Sequence, residues 1–285
     1  MIFQDIIFQF FTIWDGIESG LYYAIVGFYF LIFAYFLLMR YRVSKKLFWL
    51  YFSVLFLFLA AGRGFFIVYY FYAPELFGTM SNLELVGIMM LLYRLATFST
   101  WMGIACLMGV FGTLIFPPIT EMGASSDKTD IKAKIKKILK NKNLRFLLKM
   151  CLIAIPIIVA ILALTLPDAV LMDPDIRDQY VPSFQLVTIF DWYPAGRAVI
   201  NFILLPLMVF LIPFIFVYLA LKTFGVLRRS YALNAIGFFI YFFGRIIQGL
   251  LETFGFPHVR AILPPLLILL SLLIIVIANN YEQLR

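Results

Sequence analysis

The sequence predicts an all-α fold in which seven transmembrane helices form one membrane domain over residues 1–285. Two observations support this prediction. The chain is 64% hydrophobic and only 13% charged, whereas a typical soluble domain is about half apolar and about a quarter charged. Its apolar residues also fall into separate blocks of about 20 or more residues, the length that crosses roughly 30 Å of hydrocarbon as a helix.

The apolar blocks give the order and approximate limits of the helices. We place the spans at residues 20–39, 47–72, 83–116, 147–166, 195–221, 231–253 and 261–279. Residues 1–19 lack the basic start of a secretory signal. Within them Phe3, Ile6 and Phe10 recur at helical spacing, which predicts a short interfacial helix or an extension of the first span.

Charged residues and prolines justify these limits. The first span ends at Arg40, where a basic loop begins. The third ends before Pro117, because proline lacks the amide proton that a continuing helix needs. The prolines at 206, 213, 264 and 265 are kept inside spans five and seven, since membrane helices tolerate proline kinks.

The loops alternate in charge, and this alternation predicts the orientation. Most of the 23 lysines and arginines flank the loops after spans one, three and five or end the chain. The loops on the other side carry most of the acids. The positive-inside rule then places the N-terminus outside and the C-terminus in the cytoplasm, with the cell membrane as the expected location.

The two longest loops have different compositions. Residues 129–142 predict a basic amphipathic helix, and the surrounding segment Lys128–Lys149 would bind anionic lipids of the inner leaflet or, alternatively, a cytosolic protein. The external loop 168–194 is acidic, and its end, Val187–Pro194, favours an extended segment or hairpin. This loop would either cap an outward-facing cavity or cover the ends of neighbouring helices.

Three arginines, Arg63, Arg94 and Arg245, lie deep inside the predicted spans. A guanidinium in lipid costs roughly 2.5–3.5 kcal/mol even on the lenient insertion scale, so each must face protein or water. From the helix rise, all three lie about 5–9 Å from the middle of their spans toward the exterior. They therefore share one layer of the membrane.

Other polar residues are predicted to line the same layer. Span six repeats polar side chains on one face, and span five has two at its outer end; these residues are Tyr241, Arg245, Gln248, Glu252, Arg197 and Asn201. Positive charge exceeds the nearby negative charge, which predicts an outward-facing pocket for a small anion such as a carboxylate or phosphate. The alternative is a structural network in which the arginines bind helix carbonyls, tyrosines and waters.

Several function classes receive no support from the sequence. There is one histidine, His258, and neither an HExxH nor a GxSxG motif, so we expect no metal site, no cofactor and no enzymatic activity. The net charge of +8 reflects loop topology rather than nucleic-acid binding. The two cysteines, Cys106 and Cys151, are expected to be reduced packing residues.

Three functions remain. The first is a sensor- or receptor-like bundle that binds an anionic ligand from outside. The second is an anion carrier or channel, and the third is a structural subunit or anchor of a membrane complex. The apolar inner halves of spans three, five and seven favour the first, while the ligand and the oligomeric state stay open.

Overall fold

The computed structural model describes residues 10–115, 142–189, 193–253 and 256–280. Seven helices within these residues are long and apolar enough to cross a membrane. They are α1 (Ile13–Ser44), α2 (Leu47–Tyr72), α3 (Asn82–Ile115), α4 (Lys142–Thr165), α5 (Ala195–Lys222), α6 (Gly225–Thr253) and α7 (Pro257–Asn280). The predicted all-α fold of a multi-pass membrane protein is therefore confirmed.

Helix α1 begins at Ile13, earlier than the predicted residue 20, because a capping box starts it. The carboxylate of Asp15 accepts a hydrogen bond from the backbone N–H of Thr12 at 2.8 Å, and the Thr12 hydroxyl accepts one from the N–H of Asp15 at 3.3 Å. The apolar block thus continues backwards into an amphipathic turn, one of the two outcomes expected for residues 1–19. This shift brings Glu18 into the helix.

Among the described residues, three of the long helices contain a turn with π-type hydrogen bonding. These turns are Phe36–Tyr41 in α1, Val68–Tyr72 in α2 and Val199–Leu204 in α5. Isolated π turns within α-helices are rare and occur frequently at functional sites. The turns of α2 and α5 both lie near the buried arginines described below.

The loop after α4, residues 168–194, is called the acidic loop here. Two short helices, Asp168–Leu171 and Pro174–Tyr180, are followed by the antiparallel strands β1 (Thr188–Ile189) and β2 (Tyr193–Pro194). The predicted extended segment at 187–194 is thus a minimal hairpin. The predicted basic helix at 129–142 lies outside the described residues, apart from Lys142 at the start of α4.

The helices pack in a definite order around the bundle. Helix α1 contacts α2 and α7; α2 continues to α3 and α3 to α4, while α7 continues to α6 and α6 to α5. Phe111 of α3 and Phe216 of α5 meet with ring centroids 5.4 Å apart. Helix α3 is central, with 78% of its apolar stretch buried, whereas α5 buries only 18% and turns most of its surface outward.

The two ends of the bundle differ in charge. The end that carries Glu18, Glu75 and the acidic loop is called the acidic end. The opposite end carries Arg40 and Lys222 and is called the basic end. The candidate functional residues lie toward the acidic end.

Candidate functional site

A polar cavity of about 100 Å³ opens between α1, α2, α6 and α7 near the acidic end. Carboxylates, guanidiniums, an amide and aromatic rings form its walls. The lining residues are Asp15, Glu18, Tyr22, Arg63, Phe66, Ile67, Tyr70, Phe71, Gln248 and Arg260. Of the residues predicted from sequence, Arg63 and Gln248 line this cavity directly.

Arg63 is the most deeply placed charge in the cavity, with only 7% of its surface exposed. Its neighbour Gly62 packs on α3, where an added Cβ would lie 3.1 Å from the carbonyl oxygen of Ala96. This close approach leaves Arg63 on the face of α2 that turns to α1. There its guanidinium lies over the ring of Tyr22, 4.2 Å from the ring centroid.

One nitrogen of Arg63 has no partner. Within the described part of the chain, Nη2 of Arg63 is buried and makes no hydrogen bond. Buried guanidinium nitrogens are costly to leave unsatisfied, because water no longer solvates them. An acceptor oxygen that reached Nη2 of Arg63 would therefore be stabilised.

Glu18 forms the opposite side of the same cavity and is 4% exposed. Its Oε1 accepts a hydrogen bond from the Tyr22 hydroxyl at 3.0 Å. Its Oε2 lies 3.7 Å from Nη2 of Arg260, which is an ion pair but longer than a hydrogen bond. Arg260, Glu18, Tyr22 and Arg63 thus form one continuous polar chain across α7, α1 and α2.

Arg245 and Tyr241 continue this row of polar side chains deeper into the bundle. The Tyr29 hydroxyl donates to the Tyr241 hydroxyl at 3.2 Å, joining α1 to α6. Arg245 lies close enough to Tyr22 and Tyr29 to act on both electrostatically, as Arg63 does. Two of the three predicted intramembrane arginines, Arg63 and Arg245, therefore share one neighbourhood.

Arg94 lies elsewhere. Its Nη1 donates to the carbonyl oxygen of Leu164 at 2.7 Å, and its Nη2 forms an ion pair with Asp168 at 2.6 Å. These contacts tie α3 to the end of α4 and the start of the acidic loop. The expected surplus of positive charge is smaller here, because the loop supplies a carboxylate that is distant in the sequence.

Arg197 and Asn201 occupy a third place, beneath the acidic loop. Arg197 is 6% exposed and pairs with Asp173 at 2.6 Å, while its guanidinium lies 4.6 Å from the ring centroid of Tyr93. Asn201 donates to the Tyr93 hydroxyl at 2.9 Å. In the same loop, burial raises the pKa of Tyr193 to about 12, so this phenol stays neutral at physiological pH.

The cavity also contains residues that the sequence reasoning did not select. Glu18 and Tyr22 are four positions apart and so share one face of α1, and Arg260 enters from the start of α7. The spacing of Glu18 and Tyr22 was a usable signal, but it lay across the predicted start of span one. Glu252 belongs to α6, and its side chain lies outside what the structure describes.

The polar groups of the cavity can form hydrogen bonds and ion pairs. Among the described residues, no group of three His, Cys, Asp or Glu side chains could hold a metal ion. The walls offer an unpartnered guanidinium nitrogen, a carboxylate and the amide of Gln248 around a small space. Such an arrangement can orient a small charged molecule.

No known protein family, curated protein or solved structure matches this chain.

Proposed function

We propose that this multi-pass membrane protein is a sensor or receptor that binds a small anionic group in the cavity beside Arg63. The observation that carries the proposal is Arg63, which lines a polar cavity from a membrane-spanning helix and whose buried Nη2 makes no hydrogen bond to any described residue. Ionisable residues at such depth usually serve a function, because burying them is costly. A carboxylate or phosphate oxygen would provide the missing hydrogen-bond acceptor.

The orientation follows from charge. The positive-inside rule assigns the basic end to the cytoplasm and the acidic end to the exterior. The cavity then faces outward and receives its ligand from outside the cell. Gln248 and Tyr241 on α6, together with Arg245, would orient the bound group.

Packing between the cavity and the basic end favours sensing over transport. Below Arg63, the interface of α1 and α2 is filled by Phe36, Phe52 and Phe56, which are each at most 1% exposed. Between α3 and α5, Phe111 and Phe216 are equally buried. A channel needs a polar path through these layers and a carrier must open one by moving its helices, whereas a sensor needs neither.

The helices that line the cavity are also joined at the basic end. Tyr35 and Arg40 of α1 both donate to the side-chain oxygen of Asn280 in α7, and Asn279 of α7 donates to Asn234 of α6 at 2.9 Å. A ligand that moves α1, α6 or α7 at one end would alter these contacts at the other. This linkage is a route by which binding could change the basic surface.

Arg94 and Arg197 support the structural alternative for their own neighbourhoods. Each is paired with an aspartate of the acidic loop, so neither needs a ligand to satisfy its charge. We therefore assign them to holding the acidic loop on α3, α4 and α5. The ligand-binding proposal rests on Arg63 and its neighbours.

The proposal is tested by ligand-dependent stability of the purified protein in lipid nanodiscs. Acetate and inorganic phosphate should raise the unfolding temperature of the wild type, and Arg63→Met should remove the effect. Arg177→Met is the matched control, because Arg177 pairs with the exposed Asp178 outside the cavity. An anion effect that is equal in wild type and Arg63→Met would contradict the proposal.

A second measurement separates sensing from transport. Radiolabelled acetate or phosphate flux into proteoliposomes should equal that of protein-free vesicles. Flux that depends on the protein and is lost in Arg63→Met would replace the sensor by a carrier.

A further inference from the structure

We infer that the ligand of the Arg63 cavity is a small zwitterion, such as a small amino acid, with its carboxylate on Arg63 and its ammonium on Glu18. This inference deepens the proposed function and rests on it. It identifies the ligand by the charges that the walls of the cavity present.

The lining of the cavity is electrically balanced. It contains two carboxylates, Asp15 and Glu18, and two guanidiniums, Arg63 and Arg260. A ligand that carries only negative charge would be attracted by the arginines and repelled by the carboxylates across the same small space. A zwitterion meets an opposite charge on each side.

Glu18 has a free position for a donor. Its Oε1 is engaged by Tyr22, but its Oε2 lies 3.7 Å from the nearest guanidinium nitrogen, beyond hydrogen-bonding distance. A carboxylate offers about four lone-pair positions, so an ammonium group can be added without breaking the bond from Tyr22. The Oδ2 of Asp15 is held by the backbone and hydroxyl of Thr12 in the capping box, and Asp15 lies one turn nearer the start of α1.

Arg63 supplies the positive charge that would bind the carboxylate of the ligand. Arg63 exposes only 7% of its residue surface, and its Nη2 has no hydrogen-bond partner in the described part of the protein. The ring of Tyr22 separates Arg63 from Glu18, contacting the guanidinium with its face and the carboxylate with its hydroxyl. Tyr22 therefore contacts both the cation and the anion of the cavity.

The size of the cavity restricts the ligand. Its volume is about 100 Å³, and an apolar cavity of roughly 150 Å³ holds one benzene molecule. In proportion, a ligand of roughly four or five heavy atoms fits, while a nucleotide or a peptide is too large. The rings of Phe66 and Phe71 form an apolar wall for the carbon skeleton.

The test compares matched probes in lipid nanodiscs at equal concentration. The zwitterions glycine and L-alanine are each paired with the corresponding acid, acetate or propionate, and the corresponding amine, methylamine or ethylamine. We expect one of the zwitterions to bind at least tenfold more tightly than its acid and its amine, measured by calorimetry and by the shift of the unfolding temperature. This comparison uses the wild-type protein, so it stands even if a variant fails to fold.

Two variants then locate the charges. Glu18→Gln should weaken zwitterion binding about tenfold, as expected for loss of one charge-assisted hydrogen bond, and should leave acetate and propionate binding unchanged or stronger. Arg63→Met should weaken binding of zwitterion and acid alike. Asp178→Asn, outside the cavity, is the control and should change neither.

The outcomes distinguish this inference from the proposed function. If the acids bind as tightly as the zwitterions in an Arg63-dependent manner, the anion site stands and the zwitterion is refuted. If none of the six probes binds to the wild type, both the inference and the proposed function fail. If the zwitterions bind but Glu18→Gln has no effect, the assignment of the ammonium to Glu18 is wrong.

Discussion

The guanidinium of Arg63 in α2 lies on the ring of Tyr22 in α1, 4.2 Å from the ring centroid. Tyr22 is 2% exposed and also donates its hydroxyl to Glu18, so one aromatic side chain contacts a buried cation and a buried anion. Because both charges lie within membrane-spanning helices, the ring replaces part of the solvation that water would otherwise provide. Tyr22 is therefore central to keeping Arg63 at this depth.

Removal of the Tyr22 ring should destabilise the protein more than removal of its hydroxyl. Tyr22→Leu loses ring packing and the cation–π contact, which we expect to lower the free energy of unfolding by about 2–4 kcal/mol. Tyr22→Phe keeps the ring and loses only the bond to Glu18, with an expected loss of about 1 kcal/mol. Unfolding of both variants in nanodiscs measures the difference, and equal losses would argue against the contact with Arg63.

The pair of Arg94 and Asp168 should stabilise the end of α4 without affecting the cavity. The side chains are 15% and 42% exposed, so solvent screens the pair, and Asp168→Asn should reduce stability by on the order of 1 kcal/mol. A double-mutant cycle with Arg94→Met isolates their coupling. Probe binding at the Arg63 cavity should be unchanged, and a loss of binding in Asp168→Asn would mean that the two neighbourhoods are not separate.

The pair of Arg197 and Asp173 should contribute more to stability than the pair of Arg94 and Asp168, because Arg197 is nearly fully buried. Asp173→Asn leaves that charge without its counter-ion, and we expect a loss of about 2–3 kcal/mol, somewhat below the cost of breaking a fully buried pair. Faster hydrogen exchange in the acidic loop should accompany the loss. Asp175→Asn, two positions away and exposed, is the matched control and should leave exchange and stability near wild type.

Helices α6 and α7 should tolerate no side chain at Gly237. An added Cβ would lie 2.7 Å from Cγ1 of Ile275 and 3.3 Å from the carbonyl oxygen of Ser271, so Gly237→Ala must separate the helices. We expect a loss of about 1–3 kcal/mol, typical of overpacking. Gly27→Ala in α1 meets no atom within 4 Å and should be neutral or stabilising by up to about 1 kcal/mol, as thermal unfolding of both variants would check.

The seven helices could be predicted from the sequence because crossing a membrane imposes both a length and a composition. The height of each arginine along its own helix also follows from the sequence, since the rise of a helix converts residue number into distance. The residues that contact each arginine could not be predicted from the sequence. Arg63 faces α1 and Arg94 faces α4 because of how each helix is rotated about its axis, and that rotation is set by neighbours.

Distance along the chain hid the carboxylates that lie near the arginines. Asp168 is 74 positions from Arg94 and belongs to a loop, so no helical spacing connects them. Glu18 was missed for a different reason: it precedes the apolar block, and only the capping box at Thr12 extends α1 far enough to include it. Local capping chemistry therefore determined a residue of the candidate site.

The π turn at Val68–Tyr72 affects which insertions and deletions α2 can accept. Each residue of an α-helix advances the side-chain direction by about 100°, and a wider turn changes that phase for everything that follows. In this turn Tyr69 is 6.0 Å from Tyr93, beside Arg197, while Tyr70 faces the Arg63 cavity. Adjacent residues thus serve two separate polar centres. The final turn of α2 therefore has a rotational setting of its own, and a one-residue insertion or deletion there would place a different side chain at each of the two centres while the preceding part of the helix kept its register.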